Sequence, residues 1–272
     1  MSMTAIVQAS LVSNVTSWPT VVAALSLVMF ALILSWWWGL RIEWEVVKAA
    51  VRAAVQLLAV GFLFALIFGS TRAEYWAWGW VVAMAVIATV VVYRQVGSGI
   101  PGLAVAAGVA VGFSAIVSIA VTFGLGVIEY DAVSLVVVVG ITIGNAVPSA
   151  VLGVNRSVEM SRERVGELEA LLATGFDRRG VVRFMSPRAA RIALMPQVER
   201  TKVVGLIALP GAMTGLLLAG VDPVDAVLIQ LLVMYLVLGT AALCVVATVT
   251  SVVRSSVTPL LRVADWVRIA ED

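Results

Sequence analysis

Five polar side chains interrupt stretches that are otherwise apolar. Arg52 and Gln56 stand four residues apart. Asn145 follows Gly144 and precedes Pro148. Thr214 comes shortly after Pro210 and Gly211, and Gln230 has Met234 one turn beyond it. A spacing of four puts Arg52 and Gln56 on one face of a helix. Hydrocarbon cannot satisfy such groups, so they face a bundle interior or a cavity. Two roles stay open for them. They line a polar path, or they hold helices together by hydrogen bonds.

Other chemistries are excluded by residue type. The chain has no histidine, which removes the usual zinc and copper ligand sets and the Ser-His-Asp and Cys-His arrangements. Its one cysteine, Cys244, forms no intrachain disulfide and reads as a small buried apolar residue. The two lysines precede Ala49 and Val203, so neither belongs to a phosphate-binding loop. Paired carboxylates are missing from the apolar runs. The expectation is a protein that is not an enzyme and carries no cofactor. Any ATP that drives it is hydrolysed on a partner chain.

The elements that must position these residues are membrane helices. The composition is 62% hydrophobic and only 12% charged, with a mean hydropathy of +1.08. A soluble domain is about 25% charged, and it could not hide this much apolar surface. Each span needs roughly 20 apolar residues. Seven runs qualify, at 19–38, 46–68, 75–93, within 101–127, 132–154, 203–219 and 224–253. The proline and glycines of Leu209 to Gly215 interrupt the sixth run. No removable signal peptide is expected at the start.

Charge sets the orientation. Taking the odd-to-even loops, the segment after run five and the tail as one side gathers every Lys and Arg except Arg72 there. The expectation is an all-α integral membrane protein of about seven spans, with the N-terminus outside and the C-terminus inside. Trp18, Trp36 to Trp38, Trp76, Trp78 and Trp80 lie at span ends and read as interfacial anchors.

Within this single domain of 1–272, residues 155–202 form the one substantial cytoplasmic segment. Alternating charges from Arg156 to Glu169 suit a solvated helix. Gly175 suits a helix stop, and Asp177 suits the cap of a new helix running to Met185. Ser186 and Pro187 suit a further cap and first helical residue, opening a third piece to Lys202. The whole reads as amphipathic helices on the inner membrane face.

Several blocks resemble a known family. Glu169 to Gly175, followed by Leu194, Met195 and Pro196, is similar to the loop that ABC-transporter permeases present to their ATPases. Arg52 to Leu57, Gly144 and Asn145 with Asn155 and Arg156, and above all Val204 to Gly215 resemble the FetB-type permeases, a family linked to iron export. The third block continues through Ala219, Gly220, Asp222, Pro223, Ala226, Gln230 and Met234. The likeness runs from about Ile42 to Ser251. Ala212 and Leu216 depart from it, at positions where methionine and glutamine are usual.

The resemblance implies the membrane half of an ABC transporter working by alternating access. It implies a homodimer served by two ATPase subunits and surrounded by membrane lipid, with no nucleic acid. The setting implied is the bacterial cytoplasmic membrane. The cargo would be iron or another metal ion or complex, with no metal-binding residues assigned. Arg52, Gln56, Asn145, Met213, Thr214, Gln230 and Met234 would line the path. Glu169, Leu171, Leu172, Gly175 and Asp177 would couple to the ATPase. The alternative is a non-transporting scaffold or regulatory subunit that binds partners through its basic segment.

Overall fold

Apolar side chains at a helical period make long helices throughout. The computed structural model describes residues 18–96 and 99–268. Ten helices occur among them. They are α1 (Trp18–Trp38), α2 (Glu43–Phe68), α3 (Ala73–Val96), α4 (Leu103–Gly124), α5 (Ala132–Glu163), α6 (Val165–Ala173), α7 (Arg178–Val203), α8 (Gly211–Leu218), α9 (Pro223–Ser255) and α10 (Asp265–Arg268). Five of these, α2, α3, α4, α5 and α9, are long and apolar enough to cross a membrane. They cover the second to fifth and the seventh of the expected runs. In α1 the apolar stretch Leu25–Trp38 is shorter. The sixth run is not one helix. α7 ends at Val203, the chain turns through Gly205 at a φ of 89°, and the eight-residue α8 follows.

The chain divides into two compact units, residues 1–71 with 211–227, and 72–210 with 228–272. In the first, α1 and α2 pack together as a hairpin. Gly39 takes a φ of 66° at the turn. Ser35 Oγ donates to Glu43 Oε1 at 2.9 Å across it. Glu43 and Glu45 sit in the first turn of α2, where the helix dipole favours negative charge.

The second unit is built on α5. At 32 residues this helix is about 48 Å long, well beyond the roughly 30 Å of a hydrocarbon core. α3, α4 and α7 pack along it. Asp131 caps its start, accepting from Val133 N at 2.7 Å and Ser134 N at 3.0 Å. The Ser134 hydroxyl and these amides hold the Asp131 carboxyl below its usual range. Beside it, Tyr130 donates to Glu74 Oε1 at 2.9 Å and accepts from Trp78 Nε1 at 3.0 Å. Burial, then the Glu74 hydrogen bond, pushes the Tyr130 phenol upward. Trp78 is therefore more than an interfacial anchor, because it ties the α4–α5 connection to α3.

α7 departs from the sequence expectation. It does not restart at Ser186 and Pro187 but runs unbroken through Pro187 and Pro196. The reason is a stripe of buried residues at a spacing of four, Val181, Met185, Ala189, Ala193 and Gln197. That stripe packs on α5 and outweighs the hydrogen bonds the two prolines forfeit. α7 is thus a bundle helix packed on α5 from Val181 to Gln197.

At Gly153 α5, α7 and α9 come into close contact. A Cβ there would lie 2.9 Å from Val249 Cγ2 and 3.2 Å from Ala193 Cβ. Val249 and Ala193 are fully buried and stiff, so neither can give way. Gly153→Val should therefore destabilise the protein by about 1–3 kcal/mol, with Gly153→Ala losing less. Thermal unfolding in detergent micelles measures both, and equal melting temperatures for the three proteins would refute this close approach.

Candidate functional site

Asn145 lies at the middle of the apolar part of α5. From Ala132 it is 13 residues, about 20 Å, and from Val154 it is nine residues, about 14 Å. Its side chain turns inward on its own helix, with Nδ2 donating to the Ile141 carbonyl at 2.8 Å. Its backbone carbonyl accepts from Gln197 Nε2 of α7 at 3.1 Å. Pro148 lacks the N–H that would otherwise close onto Gly144, so this stretch of α5 offers bare carbonyl oxygen at membrane depth.

The Asn145–Gln197 bond fixes how far α7 travels. One level is Ala193 against Gly153, and the next is Gln197 against Asn145. The two helices therefore run antiparallel, and the end of α7 reaches the middle of the apolar run of α5. Glu199, Arg200 and Lys202 follow within five residues, about 8 Å. All three are exposed. Lys202 Nζ pairs with Glu199 Oε1 at 2.8 Å. Arg200 has no ion pair or hydrogen bond among the described residues. Charges at this depth are tolerated only against protein or a water-filled cavity. Sequence reasoning placed them in the soluble segment because their own helix is charged. The stripe of small and apolar residues from Val181 to Gln197 was the signal that could have found them.

The other expected path residues fall in both units. Arg52 and Gln56 share an exposed face of α2. Met213 and Thr214 are half-buried on α8, where Thr214 Oγ1 donates to the Gly211 carbonyl at 2.9 Å. In the second unit Gln230 is buried on α9 with Oε1 unpartnered among the described residues, and Met234 is half-buried one turn on. An acceptor left bare in this way is costly unless something meets it.

The expected coupling residues form an elbow between α5 and α7. α6 closes at Gly175, whose φ is 90°. Gly175 N donates to the Leu172 carbonyl at 3.1 Å and Phe176 N to that of Leu171 at 3.0 Å. This paired bonding ends a helix with glycine in the left-handed region. Asp177 Oδ1 then caps α7 through Gly180 N at 2.7 Å. Leu171 and Leu172 are half-buried, while Leu168 is the fully buried anchor. Glu169 is already engaged, accepting from Arg268 Nη2 of α10 at 2.8 Å. The sequence reading missed Phe176, a 41% exposed aromatic at the tip of the elbow.

Residues 18–257 match the model of an uncharacterised protein family, UPF0014. The chain belongs to the UPF0014 family. A UPF0014 membrane protein of Bacillus subtilis, YjkA, is 31% identical over 82% of this chain and 88% of its own length. STAR2 of rice, also a UPF0014 membrane protein, is 32% identical over 81% and 76%. The probable iron export permease protein FetB of Escherichia coli is 28% identical over 81% and 84%. No solved structure matches. The resemblance to the family of FetB holds, and this UPF0014 chain is a multi-pass bacterial membrane protein.

The exposure of the α7 end can be read directly. Because Cys244 is fully buried, a cysteine introduced by Arg200→Cys is the reactive thiol in the chain. It should label with a water-soluble maleimide while the protein sits in lipid vesicles, since thiolate forms only where water reaches. Absence of labelling would show the face to be covered by protein or lipid.

Proposed function

We propose that this UPF0014 protein is the membrane permease of an ABC exporter for iron or another metal ion or complex. Two copies would form the membrane path, and two ATPase subunits would drive it. The observation that carries this reading is the charged end of α7 held at membrane depth by Gln197 and Asn145. A packing-only bundle has no use for three exposed charges there. FetB, a relative, is named as an iron export permease. The path would include Arg52, Gln56, Asn145, Met213, Thr214, Gln230 and Met234, together with Gln197 and the end of α7. Without histidine, and with one buried cysteine, a complexed or weakly held cargo suits this lining better than a bare ion.

Energy would enter at the elbow. Phe176 and the half-buried Leu171 and Leu172 supply apolar contact for a groove on the ATPase. Gly175 sets the turn that presents them. Glu169 would act by holding α10 in place rather than by touching the partner. Truncating an aromatic anchor costs about 1–4 kcal/mol of binding, so Phe176→Ala should lose most of the co-purified ATPase. Gly175→Val should lose it as well, because the left-handed turn cannot form without strain. Glu169→Ala should have the smaller effect. Full ATPase recovery with both Phe176→Ala and Gly175→Val would rule the elbow out as the docking element.

The proposal also fixes topology. Seven crossings would result from α1, α2, α3, α4, α5, the α7 end with α8, and α9, placing the N-terminus outside and the C-terminus inside. A reporter after Asp272 should then be cytoplasmic and a tag before Met1 extracytoplasmic. Both ends on one side would defeat the seven-crossing arrangement.

A further inference from the structure

Four guanidinium groups converge where α7 begins and α9 ends. Arg178, Arg179, Arg183 and Arg254 line a cavity of about 540 Å³ together with Asp177 and Leu261. Arg178 Nη2 donates to the Arg254 carbonyl at 2.9 Å, which ties the two helix ends together. None of the four is in an ion pair among the described residues. The acids nearby are spent elsewhere. Glu167 pairs with Arg164 and Arg188, Glu169 pairs with Arg268, and Asp177 caps α7. The Nε of Arg178 is buried without an acceptor. The cavity therefore holds four positive charges against one carboxylate, and its missing element is an anion.

The depth of the cavity says which anion. Val249 of α9 packs at Gly153, in the last apolar turn of α5. Arg254 lies five residues further along α9, about 8 Å. The headgroup layer on one side of a bilayer is about 5–7 Å thick. Arg254 and Arg178, which is bonded to it, thus lie level with lipid phosphates. Two apolar side chains stand at the same place. Leu260 is 79% exposed and Leu261 is 48% exposed, at the tip of a tight loop closed by Thr258 N donating to the Arg262 carbonyl at 2.8 Å. Leu261 is held at a φ of 54°, a conformation that a leucine adopts only under constraint. Apolar tips beside a guanidinium cluster suit a ligand with an anionic head and an acyl chain. Free phosphate would use the arginines but not the leucines.

We propose that this cavity is a binding site for the phosphate headgroup of an anionic phospholipid, with Leu260 and Leu261 against its glycerol and acyl region. The site is independent of what the protein transports. A lipid held there bridges the first turn of α7 and the last of α9, so it clamps the helix that leads from the elbow to membrane depth.

Native mass spectrometry of the full chain in detergent, with phosphatidylglycerol or phosphatidylcholine added, tests the proposal. Phosphatidylglycerol should be retained and phosphatidylcholine lost. Arg179→Gln with Arg183→Gln should weaken phosphatidylglycerol binding about tenfold or more, given about 1 kcal/mol for each basic group near the lipid surface. Arg94→Gln with Arg191→Gln, which removes the same charge outside the cavity, should change it by less than about twofold. Melting temperatures without lipid establish that both variants are folded. If the cavity variant does not fold, the wild-type protein still decides, because phosphatidylglycerol must raise its melting temperature and phosphatidylcholine must not. Equal retention of the two lipids, or equal weakening by the two double variants, overturns the site. Stabilisation by millimolar inorganic phosphate without stabilisation by phosphatidylglycerol assigns the cavity to free phosphate and overturns the lipid.

Discussion

The structure depends on one constraint, that polar groups removed from water must find partners within the protein. The second unit meets it largely inside its own helices. Ser114, Thr142, Ser157, Thr240 and Thr248 each donate to the carbonyl four residues back. A hydroxyl used this way costs the bilayer nothing, and it leaves a small side chain on the helix surface. Small surfaces let helices approach, as Gly153 does between Val249 and Ala193. The same constraint makes the exceptions informative. Gln197 does not bond its own backbone but crosses to the Asn145 carbonyl of α5. That single crossing sets the depth of α7, and with it the depth of every charge near its end.

Much of this was legible in the sequence, because the bilayer imposes long apolar runs and five of the seven runs are long apolar helices. The caps and stops were legible as well. Asp177 and Gly175 sit where their side-chain chemistry puts them, one accepting from Gly180 N and the other in the left-handed region. What was not legible was tertiary. Pro187 reads as a helix start in one dimension, yet α7 passes through it because buried contacts on both sides of the proline hold the helix straight on α5. The sixth run reads as one span because hydropathy averages over the turn at Gly205. Asn145 and Gln230 stood out because an isolated polar group breaks an apolar run at each. Arg200 and Lys202 were hidden by charged neighbours on their own helix.

The role of Glu169 shows how a motif and a structure can divide one residue's work. Its position in a familiar pattern suggests contact with a partner. Its carboxylate is instead bonded to Arg268, and the last helix is thereby fastened beside α6. This pair is exposed on both sides, and such pairs contribute little to stability. Its value is positional, since Trp266 and Val267 of α10 are buried, α10 packs on α5, and the pair fastens the end of α10 to α6. The exposed tip at Phe176 is then left free for contact.

α7 joins three places along one helix. Its cap at Asp177 adjoins the elbow, its first turn lines the arginine cavity, and its last turns carry the charges beside Asn145. From Asp177 to Gln197 is 20 residues, about 30 Å of continuous helix. A helix packed along one neighbour by small residues slides or rocks more readily than it bends, because its contacts are shallow and its backbone bonds are not. Pro187 and Pro196 weaken that backbone at two points, so any bending would concentrate there. The second lies next to Gln197 and below the charged end. In the proposed permease, a displacement applied at Phe176 would travel up α7 with little loss and would be released at Pro196. The Gln197 bond to Asn145 is then the contact that must yield first, and breaking it would free the Gln197 amide at membrane depth, where water or cargo must meet it.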